Sequence, residues 1–290
     1  MRIGVVLPQT ELGGDVRELR AYATGAEALG YGHLLIYDHV VGADPAVHAG
    51  WERSYDVDTT FHEPMVALGF LAAVTRLELV TCVLILPQRQ TALVAKQAAE
   101  LDLLTDGRLR LGVGIGWNHV EYEALGQDFR SRGKRLEEQI ALLRRYWTER
   151  SVSFHGTWDS VTGAGIAPVP LQRPIPIWIG ANSAAAYRRA GRLADGWFPQ
   201  TGPDDGFREA WEEVAGAARA VGRDPAEIGI EPRVHWRGDA ADVAALVERW
   251  RGLGAGYVAV NTMGAGLRGA AEHLSALTEV ARALGLAVQG

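Results

Sequence analysis

Four short stretches of the chain combine residue types that can do chemistry. Asp38 and His39 are adjacent, directly after the apolar run at 33–37. An imidazole there can give or take a proton near neutral pH, and the pair can hydrogen-bond a substrate or cofactor. It can equally be a turn-capping aspartate beside an exposed histidine. Thr81, Cys82 and Val83 lie inside a second apolar run, 77–86. Residues 112–117 read GVGIGW and lead into Asn118. This is G-x-G-x-G rather than G-x-G-x-x-G with an acid about twenty residues on, so it matches a dinucleotide fingerprint poorly. Gly114 and Gly116 would let a planar ring or a phosphate approach the backbone, or would pack in a tapering interior. Gly180, Ala181, Asn182 and Ser183 precede a helical pattern. Free N–H groups at a helix start suit a phosphate, and the same polar side chains suit plain N-capping.

Other chemistries lack their residues. His33, His39, His48 and His62 show no H-x-x-x-H or HExxH spacing, so no metal site is expected. No G-x-S-x-G elbow and no Walker loop is present. His119 and Glu121 read as a helix start. Trp51, Trp117, Trp158 and Trp197 could wall an apolar cavity or serve as core.

The elements that must position these residues alternate. Short β-rich runs at 3–7, 33–37, 77–86, 109–115, 175–179, 196–199, 228–234 and 257–260 are separated by helical patterns. Eight strands with crossover helices predict an α/β fold, a closed (β/α)8 barrel; a doubly wound open sheet is the alternative. Two stretches break the regularity: a long loop at 41–63 and an insertion at 151–173, both expected to be lids or binding walls. The four stretches above all fall where strands end, at the C-terminal rim that carries function in a parallel barrel.

Bulk properties narrow the class. At 290 residues the chain fits one barrel domain, 1–290, large enough to fold without disulfides, and Cys82 is the only cysteine. A net charge of −6 argues against nucleic acid as a partner. No apolar run approaches the ~18 residues of a membrane span, and the N-terminus lacks a secretory pattern. A cytoplasmic protein acting on a small molecule is the expectation.

The stretch LPQRQTALVAKQAAELDLLTDGRLRLGVGIGWNHVEYEALGQDF at 86–129 resembles the central signature of luciferase-like oxidoreductases, in particular the deazaflavin-dependent branch. IYDHV at 36–40 and RPIPIWIGANSAAAYRRAGRLADGWFP at 173–199 match the same pattern, so the resemblance covers most of residues 1–199. It implies a luciferase-type barrel that binds coenzyme F420 or, alternatively, FMN, and a homodimer. Asp38 and His39 would lie beside the ring, with His39 as the catalytic residue. Cys82-Val83 would be a non-prolyl cis peptide forming a bulge behind the ring. Gly180 to Ser183 would receive the phosphate. The sugar-phosphate dehydrogenases of this group carry an acid after the glycine pair of strand four, where this chain has Trp117. That acid–base scheme therefore does not carry over; an apolar or aromatic substrate near Trp117 and Trp51 is expected instead. The implied activity is hydride transfer between the deazaflavin and a small organic substrate. The alternatives are an FMNH2- and oxygen-dependent monooxygenase, and a barrel that has lost its chemistry.

Overall fold

A computed structural model describes residues 1–52 and 55–287. Arg53 and Ser54, inside the expected loop at 41–63, and the last three residues of the expected domain lie outside the described residues. The barrel strands in chain order are β1 (Arg2–Val6), β2 (His33–Ile36), β3 (Glu78–Thr81) with β4 (Leu84–Ile85), and β5 (Leu109–Gly114). After an antiparallel hairpin, β6 (Val152–His155) and β7 (Ser160–Ala164), come β8 (Ile177–Ala181), β9 (Gly196–Pro199), β10 (Gly229–Ile230), β11 (Arg233–His235) and β12 (Tyr257–Asn261).

All barrel pairings are parallel, in the order β10-β9-β8-β5-β3-β2-β1-β12-β11. The two ends of this path are consecutive in the chain. β10 pairs with β9 and β11 with β12, and only Glu231 and Pro232 separate them. The amide of Glu231 still donates to the Trp197 carbonyl, and the carbonyl of Pro232 accepts from Ala259, so the seventh barrel strand closes the sheet while bending at the proline. The closed barrel of the sequence reading holds, and strands three and seven are each found in two pieces. The expected insertion at 151–173 contains the β6–β7 hairpin.

Alternation along the strands sorts side chains between two cores. Ile3, Val5, Leu34, Ile36 and Leu79 face the helices in the large outer core. Val6, Leu35, Val80, Cys82, Trp178, Phe198 and Ala259 fill the barrel interior. Below them lies a charged layer. Arg110 is sandwiched between the rings of Trp178 (4.3 Å) and Tyr257 (4.4 Å) and bonds to Glu231, which also meets His33 Nε2 at 2.6 Å. Arg110 and burial pull Glu231 in opposite senses; Arg110 and His33 together win and hold its carboxyl down at about 2.

The helices that matter for the site are α3 (Pro64–Ala72), α5 (His119–Ala124), α6 (Arg132–Thr148), α7 (Ala184–Leu193) and α9 (Ala240–Gly252). Pro64 sits in the first turn of α3 and Glu63 caps it by accepting from the Val66 amide.

Candidate active site

The third barrel strand is interrupted where the resemblance implied: the Cys82-Val83 peptide bond is cis, and β4 resumes pairing with β5 beyond it. The rim glycines explain how this bulge is seated. A Cβ on Gly114 would meet Val83 Cγ2 at 2.4 Å, and one on Gly180 would meet Val83 Cγ1 at 3.0 Å. A Cβ on Gly116, whose φ is +63°, would meet Ile85 Cγ2 at 2.9 Å. Of the two roles open to these glycines, packing accounts for their size: they are recesses for the side chains of the bulged strand.

Asp38 clamps the same segment from below. Its Oδ2 accepts from the Ile85 amide at 2.8 Å and its Oδ1 from Arg89 Nη2 at 2.8 Å, while Arg89 Nη1 reaches Glu63 Oε1 at 2.8 Å. Burial pushes the Asp38 carboxyl up against the opposing pull of Arg89. Both Asp38 oxygens are engaged in this way, and Asp38 and His39 turn to different partners.

The partner of His39 is Glu121. Asn118 caps α5 by accepting from Val120 (3.0 Å) and Glu121 (3.4 Å), which turns the Glu121 side chain inwards. Its Oε1 lies 3.1 Å from His39 Nδ1 and accepts from the Val40 amide at 2.7 Å; its Oε2 accepts from Gln88 at 3.3 Å. The Glu121 side chain is 1% exposed and that of His39 13%. A buried carboxylate on Nδ1 fixes the imidazole's orientation and leaves Nε2 for another group. The sequence reading treated Glu121 as part of a helix start, which it is; the dyad could not be seen because 82 residues separate its members.

An aromatic wall surrounds this histidine. Phe61, Tyr55 and Trp117 have ring centroids 4.7, 5.2 and 5.4 Å from it, and Trp51 lies 5.7 Å from Trp117. A cavity of about 400 Å³ is lined by His39, Val41, Tyr55, Phe61 and Asn118. A hollow of about 690 Å³ beside it is lined by His48, Trp51, Trp117 and His119. Trp51 and Trp117 are thus brought together, and Trp197 and Trp158 are not part of this wall: Trp197 is fully buried core.

Gly180 and Ala181 end β8, and Ser183 occupies the N-cap position of α7 without making a capping hydrogen bond. The first amides of α7 therefore face outwards without the side-chain acceptor that most helix starts supply.

Behind the bulge, Cys82 is buried and its thiol is pushed up to about 11 by desolvation, so it is a neutral packing group at ordinary pH. Arg233 Nη1 lies 3.7 Å from its sulfur and the guanidinium sits over the Tyr37 ring at 5.9 Å. Arg233 carried no signal in the sequence, being one polar residue in a strand.

The luciferase-like monooxygenase family model matches residues 1–285. A Mycobacterium tuberculosis relative of uncharacterised function is 39% identical over 190 residues, covering 63% of this chain and 65% of that one. An FMNH2-dependent dimethylsulfone monooxygenase from Pseudomonas putida is 31% identical over 67% of this chain. An F420-dependent glucose-6-phosphate dehydrogenase from Gordonia bronchialis is 34% identical over 65% of it. The match spans 54% of the length of each of these last two proteins. Among solved structures, the monooxygenase RslO1 from Streptomyces bottropensis superposes with a TM-score of 0.81 over 98% of both chains at 20% identity.

Proposed function

The chain belongs to the luciferase-like monooxygenase family, and from that premise we propose that it is an oxidoreductase using coenzyme F420, with a small organic substrate. The observation that carries this reading is the joint one at the rim: a bulge seated in Gly114 and Gly180, with a buried His39–Glu121 dyad and an aromatic wall on the same end of the barrel. The residues fit a tricyclic ring in one specific respect. Val83 fills the recesses of both glycines, so the bulge presents a firm apolar surface rather than a gap. The uncapped start of α7, which follows Gly180 to Ser183, supplies the donors a phosphate needs.

When bound, the deazaflavin would supply the hydride chemistry. The chain's residues do the rest. Val83, held by the glycines and by Asp38 acting through Ile85, sets the floor of the ring site. His39 Nε2 exchanges a proton with the substrate while Glu121 keeps the imidazole oriented and balances its charge. Tyr55, Phe61, Trp117 and Trp51 exclude water and favour a planar or apolar substrate portion.

A second reading, an FMNH2-dependent monooxygenase, draws on the 31% identity to the Pseudomonas enzyme and shares the same floor and phosphate site. Equilibrium titration with F420 and with FMN, each oxidised and reduced, tests both. Selective deazaflavin binding supports the proposal; selective binding of reduced FMN transfers it to the monooxygenase; binding of neither removes both. The resemblance extends the proposal to a homodimer, which light scattering of the purified protein checks.

A further inference from the structure

A cavity of about 610 Å³ opens between the ends of β9 and β11 and the face of α9. Such a volume is ordinary for a small-molecule site. Its charge is not ordinary for a chain of net charge −6. Arg233, Arg237 and Arg249 all line it, against one carboxylate, Asp242. Among the described residues none of the three guanidiniums forms an ion pair, whereas Arg89 and Arg110 each do. Arg249 Nη2 donates to the Pro203 carbonyl at 2.9 Å, which holds it at the rim. Arg233 meets the Cys82 sulfur and the Tyr37 ring, both neutral. His235, on the same wall, is pushed below its usual range by partial burial and by Arg233 and Arg237, so it adds no charge of its own at neutral pH and can still donate or accept a hydrogen bond.

Three guanidiniums around one hollow repel each other, and the repulsion is least screened at Arg233, the innermost. A dianionic or carboxylate group placed among them would relieve it and would be held by forked N–H donors. Arg233 also connects the hollow to the bulge, since the side chain that would grip the anion touches Cys82. We propose that this cavity binds an anionic group, a carboxylate or phosphate, carried by the substrate. The proposal rests on the oxidoreductase reading for the word substrate, and on the arginines alone for the word anionic. It adds a polar end to a substrate whose other portion meets the aromatic wall.

The probe is inorganic phosphate, titrated calorimetrically at constant ionic strength against chloride. The expected result is saturable binding that weakens about tenfold or more in Arg237→Met and in Arg249→Met, the loss of one charge-assisted contact. Both side chains are exposed, so both variants should fold. Asp242→Asn removes the one carboxylate among the lining residues and should tighten binding, a gain that damage to the fold cannot imitate. Phosphate binding no stronger than chloride, or unchanged in all three variants, overturns the anion site. Repeating the titration with cofactor bound separates the sources of the anion. Retained phosphate binding in the presence of saturating FMN or F420 supports the substrate assignment. Competition by FMN but not by riboflavin assigns the hollow to the cofactor's phosphate and overturns it. Arginine-dependent phosphate binding by a chain that binds neither cofactor would leave the anion site standing and remove the oxidoreductase reading.

Discussion

Gly114→Ala isolates the fit between the rim and the bulge. Gly114 has no positive φ, so alanine is compatible with its backbone, and within 4 Å its added methyl would meet Val83 alone, at 2.4 Å. Ordinary contact begins about 1 Å further out, so Val83 must retreat by roughly that distance, with overpacking costs of about 1–3 kcal/mol. A chain of 290 residues has an unfolding entropy of about 0.6 kcal/mol/K, so the midpoint should fall by about 2–5 °C. Val83→Ala alone removes two methyl groups and should cost about 1–2 kcal/mol. In the double variant the clashing atoms are gone, so the Gly114→Ala step should cost little. The coupling measured by the cycle should then be about 1–3 kcal/mol. The assay is reversible denaturant unfolding of the four proteins, with cofactor titration beside it. An equal cost for Gly114→Ala in both backgrounds would falsify the assignment of the glycine to the valine, and with it the account of how the ring floor is held.

Three further outcomes follow from the same geometry. Gly112→Ala should be far worse than Gly114→Ala and have no simple rescue, because its methyl would lie 1.9 Å from the Thr81 carbonyl oxygen, a backbone atom; yield of folded protein is the readout. Glu121→Gln keeps the shape but loses the charge facing His39, and should lower turnover by about tenfold or more without altering cofactor affinity, which separates orientation of the imidazole from ring binding. Acid stability should track Glu231: its folded carboxyl is held at about 2 against an ordinary 4.5, so its contribution is complete above 4.5 and is lost as pH falls from there towards 2. The size is on the order of 3 kcal/mol. Glu231→Gln should flatten that limb of the stability–pH curve, and should also destabilise at neutral pH by leaving buried Arg110 with Glu78 as its one carboxylate partner among the described residues.

Much of the barrel was legible because its signals are local. Short apolar runs ended by Pro8, Asp38 or Gly116, with helical patterns between them, record strand and crossover one unit at a time. The break in strand seven was not legible, and that in strand three was foreseen only through the family resemblance. Pro232 bends a strand whose apolar pattern continues on both sides, and a bulge at Cys82-Val83 leaves composition unchanged. The site divides the same way. His39, Trp117 and the glycines stand at strand ends and could be found as such. Glu121, Arg89 and Arg233 are ordinary polar residues of a helix, a turn and a strand, and acquire meaning only from what the closed barrel puts opposite them. The charged layer is the plainest case: residues 33, 110 and 231 meet only because the sheet closes.

The loop that carries part of the aromatic wall is pinched at its neck. A Cβ on Gly42 would lie 2.0 Å from the Asp56 carbonyl oxygen, and Val57 donates to the Ala43 carbonyl at 3.0 Å, so the two ends of the loop run side by side. Just before the neck, Val40 and Val41 are tied to α5 through Glu121 and Asn118. The root of the loop is thus tied to the carboxylate that meets His39, and beyond the neck Trp51 packs on Trp117 and His119. Seen as an engineering part, residues 44–52 form a cassette. Exchanging it would change what the aromatic wall admits and leave the His39–Glu121 contact in place.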